Sequence, residues 1–509
     1  MRFYHGVLLA LLVAVATSVM PVKADAQSSG ELIIPVTSCV KKLNPLLEGY
    51  KEGWIMLSSV FDKLYFMDVN ETRYYLADSF KMIEENTELT VKLKEGLTWH
   101  DGEPITADDI IFTLDCCANT NNGIGEANLV FIGDKSVKYE KIDSLTVKMT
   151  LPSPSASYTE IFGKLKIIPK HIYNGETYIA EAPENLKGIG SGPYKVSSFA
   201  EDQYLVCEPY ENYYKGAPKI SKVIYRIMSA DTQEIAFMNG EANFMELSNA
   251  PSAARYRNDV ACNVVQYPEG RVNYMAFNKF CDTWADSKAK KAVSLALNRD
   301  QIVMGAYGKG MAVPANSIFS NVNLYYDVDC KPLEQDIPTA KKLAEESGLS
   351  GKTITLYYNA DRIYMKETAL IIQQQLKAIN VTVNVQPLEN SGFFKIVFGN
   401  ESNYELYLNG YGASGDPDNI VAGMYNGTWG INLEVSDETM SLWAKGRATS
   451  DQAERKAIYK ELQQKAVEDM SVYTIAYPNY VFVTSKNLKG SDAIKTTPIF
   501  EDYTKLYFE

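Results

Sequence analysis

Apolar residues recur at two different spacings along this chain, and their interleaving limits the fold to a mixed α/β class. Leu89, Val91 and Leu93 alternate with polar residues, as do Leu145, Val147 and Met149, which predicts two half-buried strands. Between them Thr106 stands three residues before Asp109, a start signal that predicts a helix through Leu114. Met365, Ala369, Ile372, Leu376 and Ile379 recur at intervals of four, three, four and three, one face of a helix. Asn380 is placed to end it, and Val381, Val383 and Val385 begin an alternating strand. A last long helix is predicted from Asp451, with Glu454 three residues on, to near Glu468. No solenoid period and no low-complexity linker interrupts the pattern.

The chain has 509 residues and a formal net charge of −13, long enough for two or three domains. Its start reads as an export signal. Arg2 supplies a positive charge, Val7 to Val19 is almost wholly apolar, Pro21 breaks the run, and Ala24-Asp25-Ala26 offers small residues for cleavage. The run is shorter than the ~20 residues a membrane-spanning helix needs. Residues 1–26 are therefore expected to leave as a signal peptide, and with no Cys at the cut a lipid anchor is not indicated. The expected product is a soluble periplasmic monomer that does not span the membrane. Its acidity repels nucleic acid and anionic lipid, so no nucleic-acid partner is expected. Export permits disulfides among Cys39, Cys116, Cys117, Cys207, Cys262, Cys281 and Cys330. The odd count leaves at least one thiol over, and the pairing is open.

Catalytic and cofactor motifs are missing. Beyond the signal only His100 and His171 remain, too few for a histidine-based metal site, and no Cys-x-x-Cys occurs. There is no Gly-x-Ser-x-Gly elbow. Gly351-Lys352-Thr353 resembles the end of a phosphate loop, but Ile354-Thr355-Leu356 predicts a strand where that loop needs a helix start. Gly188 to Pro193 likewise leads into an extended Tyr194-Lys195-Val196, a turn rather than a dinucleotide fingerprint. Asp108-Asp109 reads as first-turn helix charge. No cofactor and no enzymatic activity are expected; a hydrolase would have to draw on Ser414 or His171.

The segment Leu93-Lys94-Glu95-Gly96-Leu97-Thr98-Trp99-His100-Asp101-Gly102-Glu103-Pro104-Ile105-Thr106-Ala107-Asp108-Asp109-Ile110 resembles the signature of the bacterial extracellular solute-binding proteins of family 5. These are the dipeptide-, oligopeptide- and nickel-type binding proteins of ABC importers. The resemblance continues in order through Gly190-Ser191-Gly192-Pro193-Tyr194-Lys195, Tyr274-Met275-Ala276-Phe277-Asn278, Gly415-Asp416-Pro417-Asp418-Asn419 and Arg455-Lys456-Ala457-Ile458-Tyr459. It implies two lobes joined by a hinge, with an extra domain inserted in the first. The first lobe would comprise residues 27–70, 187–278 and 481–509, the insert 71–186 and the second lobe 279–480. Closure over the ligand would present the form recognised by the permease subunits. Trp99-His100-Asp101-Gly102, a strand-turn-helix corner, is expected to be scaffold.

The resemblance also implies a ligand site. In peptide-binding members an acid near Gly415–Asn419 pairs with the peptide amino group, and a second-lobe cation takes the carboxylate. This chain has Ala413 and Ser414 where the acid is expected. Asp416 is retained as a candidate beside the reading of Asp416 and Asp418 as turn residues around Pro417. For the carboxylate, Asn359 lies nearest the expected cation and Arg362 just beyond it. Tyr411 and Trp429 are candidates to pack on the ligand, and Thr37, Ser38 and Ser414 to offer hydroxyls. Without a second-lobe histidine a nickel site is disfavoured. The implied ligand is a short peptide. The alternatives are a modified amino acid, opine, sugar or metal chelate, or a sensory or chaperone-like role without an importer.

Overall fold

The predicted strand-turn-helix corner is formed by the strand Glu88–Leu93 and the helix Ala107–Ala118. The computed structural model describes residues 30–67, 71–83, 85–125, 127–360, 362, 364–397, 399, 404–412, 415–418, 420–425, 433–493, 500 and 502–509. The strand Glu88–Leu93 buries Leu89, Val91 and Leu93 on one face. The helix Ala107–Ala118 follows, its first turn closed reciprocally. Thr106 N–H donates to Asp109 Oδ2 at 2.9 Å, and Thr106 Oγ1 accepts from Asp108 N–H at 3.3 Å. Between them Trp99 is fully buried, and Gly102 turns the chain at φ +92°, a conformation that favours glycine.

His100 fastens this corner to the turn at Gly188–Pro193. Its Nδ1 accepts from Gly190 N–H at 3.1 Å, and its Nε2 lies 3.0 Å from Gly192 O. That pattern requires the neutral ring with the proton on Nε2. Burial holds the imidazole down at about 4, from the usual 6.5. The unfolded chain therefore binds a proton between these two values that the folded chain does not. Stability is full above pH 6.5 and falls by about 3 kcal/mol as pH drops to 4. Urea unfolding across pH 4–7 is expected to show this slope, and His100→Gln to flatten it.

Three main sheets are built from such elements. Strands Ala77–Ile83, Glu88–Leu93, Thr146–Thr150 and Lys138–Lys141 form an antiparallel sheet within the insert. Glu31–Val36, Lys222–Ile227, Tyr204–Pro209 and Tyr194–Ala200 form a second, in which the first two strands run parallel. These two sheets share one apolar core, with Leu32, Ile34 and Tyr225 joined to Leu89, Trp99, Ile110 and Phe162. In the third sheet Arg271–Phe277, Leu406–Gly412, Thr353–Asn359 and Thr382–Leu388 follow in that spatial order. Leu406 and Leu408 face Ala369, Ile372 and Leu376 of the helix Met365–Leu376. Tyr407 and Tyr411 face the opposite way, toward Tyr459 and Leu462 of the helix Gln452–Glu468. Period-2 alternation thus supplies both cores of the second lobe.

One long strand, Val472–Ser485, links the lobes. Its first half pairs with Arg271–Phe277, and its second half with Cys262–Pro268 and Phe244–Glu246. The neighbouring chain crosses at Glu269-Gly270, where Glu269 N–H donates to Pro478 O at 2.9 Å and Gly270 takes φ +74°. Two adjacent crossing segments make the hinge. The strand Arg271–Phe277, which follows that crossing, is hydrogen-bonded along its length to Leu406–Gly412 on one side and to Val472–Ser485 on the other.

Other readings resolve locally. Thr353–Asn359 is a strand, as the rejection of a phosphate loop requires. Asn380 ends its helix in the left-handed region at φ +57°. None of the seven cysteines forms a disulfide, and burial pushes the thiols of Cys116 and Cys207 up to about 12. The expected signal peptide lies outside the described residues.

Candidate ligand cleft

Parallel strands in both lobes direct their carboxyl ends at the seam between them. In open α/β sheets the crevice beyond those ends is where ligands sit. In the first lobe Glu31–Val36 delivers Thr37 and Ser38, both exposed. Thr37 Oγ1 donates to Glu52 Oε1 at 3.0 Å. In the second lobe Thr353–Asn359 and Leu406–Gly412 run parallel and end at Asn359 and Gly412. Hydrogen bonds among the described residues cross the seam. Tyr364 OH donates to Ser248 O at 2.8 Å, and Asp416 N–H points to Glu160 Oε2 at 3.4 Å.

Charge is concentrated at the hinge end. Glu269 and Arg271 flank Gly270, Arg362 arrives from beyond Asn359, and Lys51 and Glu246 come from the first lobe. Lys51 Nζ is 2.6 Å from Glu246 Oε2. Arg271 Nη2 donates to Gly410 O at 2.6 Å. Burial raises the Glu269 carboxyl, with Arg271, Lys51 and Arg362 opposing and Glu246 adding to the rise. Burial, and then Arg271, lowers Arg362 to about 10, still cationic at neutral pH. Among the described residues its buried Nε has no hydrogen-bond partner, and its guanidinium lies 5.9 Å from the Phe394 ring centre. Three cations thus surround two carboxylates, and the excess suits an incoming anion.

Gly410 makes room for this arrangement. A Cβ there would overlap Asn273 Oδ1 and stand 2.7 Å from Arg271 Nε. Gly410→Ala is expected to displace Arg271 and weaken anion binding about tenfold or more, while costing stability in the usual 1–3 kcal/mol of an overpacked site. Calorimetric titration beside urea unfolding separates the two effects.

The residues expected from sequence are dispersed. Arg362 is at the charged end. Asn359 is fully buried and donates to Asn390 Oδ1 at 2.7 Å. Tyr411 packs against Tyr274 in the second-lobe core, and its hydroxyl donates to Ile318 O at 2.6 Å. Asp416 is sequestered: Arg455 grips both its oxygens, with Nη2 to Oδ1 at 2.9 Å. Asp418 holds Arg447 at 3.0 and 3.1 Å, and its N–H donates to Asp416 Oδ1 at 3.0 Å. Both acids therefore serve the turn at Pro417 and its anchoring in the lobe. Ser414 and Trp429 lie outside the described residues. Arg271, Glu269, Lys51 and Glu246 were missed by sequence reasoning. The available signal was a charge on each side of Gly270 between two apolar strands.

The family profile for bacterial extracellular solute-binding proteins, family 5 Middle, matches residues 71–432. The chain belongs to that family. Among solved structures it resembles AppA from Clostridium difficile, at 32% identity and a TM-score of 0.87 over 94% of this chain and 100% of the other. The ABC transporter substrate-binding protein CtaP from Listeria monocytogenes gives 32% and 0.88, over 94% and 99%. The oligopeptide-binding protein AppA of Bacillus subtilis is 26% identical over 452 residues, 82% of this chain and 80% of that protein. The α/β fold and the solute-binding role expected from the sequence follow from this membership. No helix among the described residues is long and apolar enough to cross a membrane. In a family 5 member the segments that carried the resemblance act as scaffold here: His100 ties to Gly190 and Gly192, and Asp416 to Arg455.

Proposed function

We propose that this solute-binding protein is the periplasmic receptor of an ABC importer, enclosing a short peptide between its lobes and handing the closed complex to the permease without chemical change. The observation that carries this reading is the excess of cations at the hinge end, where Arg271 and Arg362 lie together in a partly desolvated cleft. Such a pair calls for a close anion, and the carboxylate of a short peptide supplies one. The relatives named for oligopeptide binding and for substrate binding in ABC transport support the same ligand class and partner. Both histidines have structural partners: His100 bonds the backbone of Gly190 and Gly192, and His171 Nε2 lies 2.8 Å from Asp101 Oδ2.

A second reading, an anionic solute without an amino group, is favoured by the engagement of Asp416 and Asp418 with arginines. Native mass spectrometry of the exported protein, purified without refolding, distinguishes them. The expected result is retained ligand that fragments as short peptides. A homogeneous non-peptide mass would sink the peptide reading and leave the anion site standing.

A further inference from the structure

The other end of the cleft holds a carboxylate that sequence reading passed over. Glu160 lies on the short helix Tyr158–Gly163 of the insert, yet it is only 3% exposed, because it is driven into the seam against the second lobe. Its Oε2 faces Asp416 N–H. A Cβ on Gly415 would overlap its Oε1, so this glycine, held at φ +77°, is what admits the carboxylate to the loop after Leu406–Gly412. No acid occurs from residue 410 to 415, and the two that follow, at 416 and 418, are held by Arg455 and Arg447. Among the described residues Glu160 is not held by an arginine. Its cation is Lys164, one helical turn on, whose side chain is 38% exposed. A lysine on a flexible stem at the surface is an exchangeable partner.

The geometry points to Glu160 as the residue that takes the ligand's α-ammonium group, with the Lys164 ammonium as the internal cation the ligand displaces. This rests on the peptide reading above. A carboxylate buried at the seam requires a cation in close contact. Lys164 supplies it before ligand arrives. A ligand ammonium is the same chemical group, so the exchange leaves the charge of the seam unchanged and returns Lys164 to water. The cleft then has a sign at each end: Glu160 beside Gly415, and Arg271 over Gly410. Five residues of extended chain span at most ~18 Å, which bounds the ligand to a few residues with both termini free.

The test uses peptides that the wild-type protein captures from a casein hydrolysate, resynthesised with free and with N-acetylated amino termini. Each is titrated against wild type, Glu160→Gln and Lys164→Met. Wild type is expected to prefer the free amine by roughly thirtyfold. Glu160→Gln should lose that preference while keeping its affinity for the acetylated peptide, a split that a purely structural role does not produce. Lys164→Met should bind the free amine several-fold tighter. A folded Glu160→Gln protein with the wild-type preference overturns the assignment and leaves the peptide reading intact. Should that variant not fold, unchanged or weaker free-amine binding by Lys164→Met overturns it. A hydrolysate from which wild type captures no peptide overturns both the assignment and the reading beneath it.

Discussion

Arg455→Met is expected to destabilise the second lobe by about 3–5 kcal/mol, the range for breaking one side of a buried ion pair. Every face of this guanidinium is engaged. Besides Asp416, it donates to Gly446 O at 2.8 Å, to Tyr325 OH at 2.9 Å and to Tyr459 OH at 3.0 Å. Its side chain is 3% exposed, that of Asp416 4%. Methionine fills much of the volume but leaves a carboxylate without water and without its cation. The charge left behind, not the lost attraction, sets the cost. Asp416→Leu combined with Arg455→Met should therefore be milder than Arg455→Met alone. Urea unfolding followed by fluorescence of Trp443, whose ring centre is 5.8 Å from that of Tyr459, reports on this lobe. A loss under about 1 kcal/mol, or a double variant worse than the single, would show that the pair is solvated.

The same pair shows what the sequence could and could not convey. Gly415-Asp416-Pro417-Asp418 is legible as a turn because its chemistry is local, and the Asp418 N–H to Asp416 Oδ1 bond is that chemistry. The arginine that captures Asp416 sits on another helix. Its segment, Arg455 to Tyr459, was legible as part of a predicted helix and as a further stretch of family likeness, but not as the partner of Asp416. Which two segments touch is decided by tertiary packing, and a single sequence contains no distances. The same applies to Trp99-His100 and Gly190–Gly192, again two matched segments that prove to be one joint. Helix faces and stops were legible for the opposite reason: the face of Met365–Leu376 and its end at Asn380 depend on residues a few positions apart. Resemblance was carried by scaffold, and so it reported the fold and the class of function more strongly than the ligand. The charged cleft residues Glu269 and Arg271 share one short stretch, but Glu160 and Arg362 lie about a hundred residues away on either side, and only the fold assembles them.

Arg362→Met should separate function from stability in the opposite direction. Arg362 is held beside Arg271 by the chain beyond Asn359, its N–H on Asn359 O at 3.3 Å. Burial and the neighbouring guanidinium both work against its charge. In the unliganded protein, removing that charge relieves desolvation and like-charge repulsion at once. The thermal midpoint without ligand is therefore expected to hold or rise. Ligand binding should suffer, because a hydrogen-bonded charge pair with a carboxylate contributes about 1.5–3 kcal/mol, which corresponds to a roughly 10- to 150-fold loss of affinity. The loss should vanish when the ligand carboxylate is replaced by a carboxamide, since Arg362 then has no anion to meet. A variant that loses stability and affinity together, or that binds acid and amide with equal loss, would make Arg362 a packing residue. A site stable only at the expense of like charges held together is organised for what it binds, and a rise in midpoint with a fall in affinity is the measurable form of that statement.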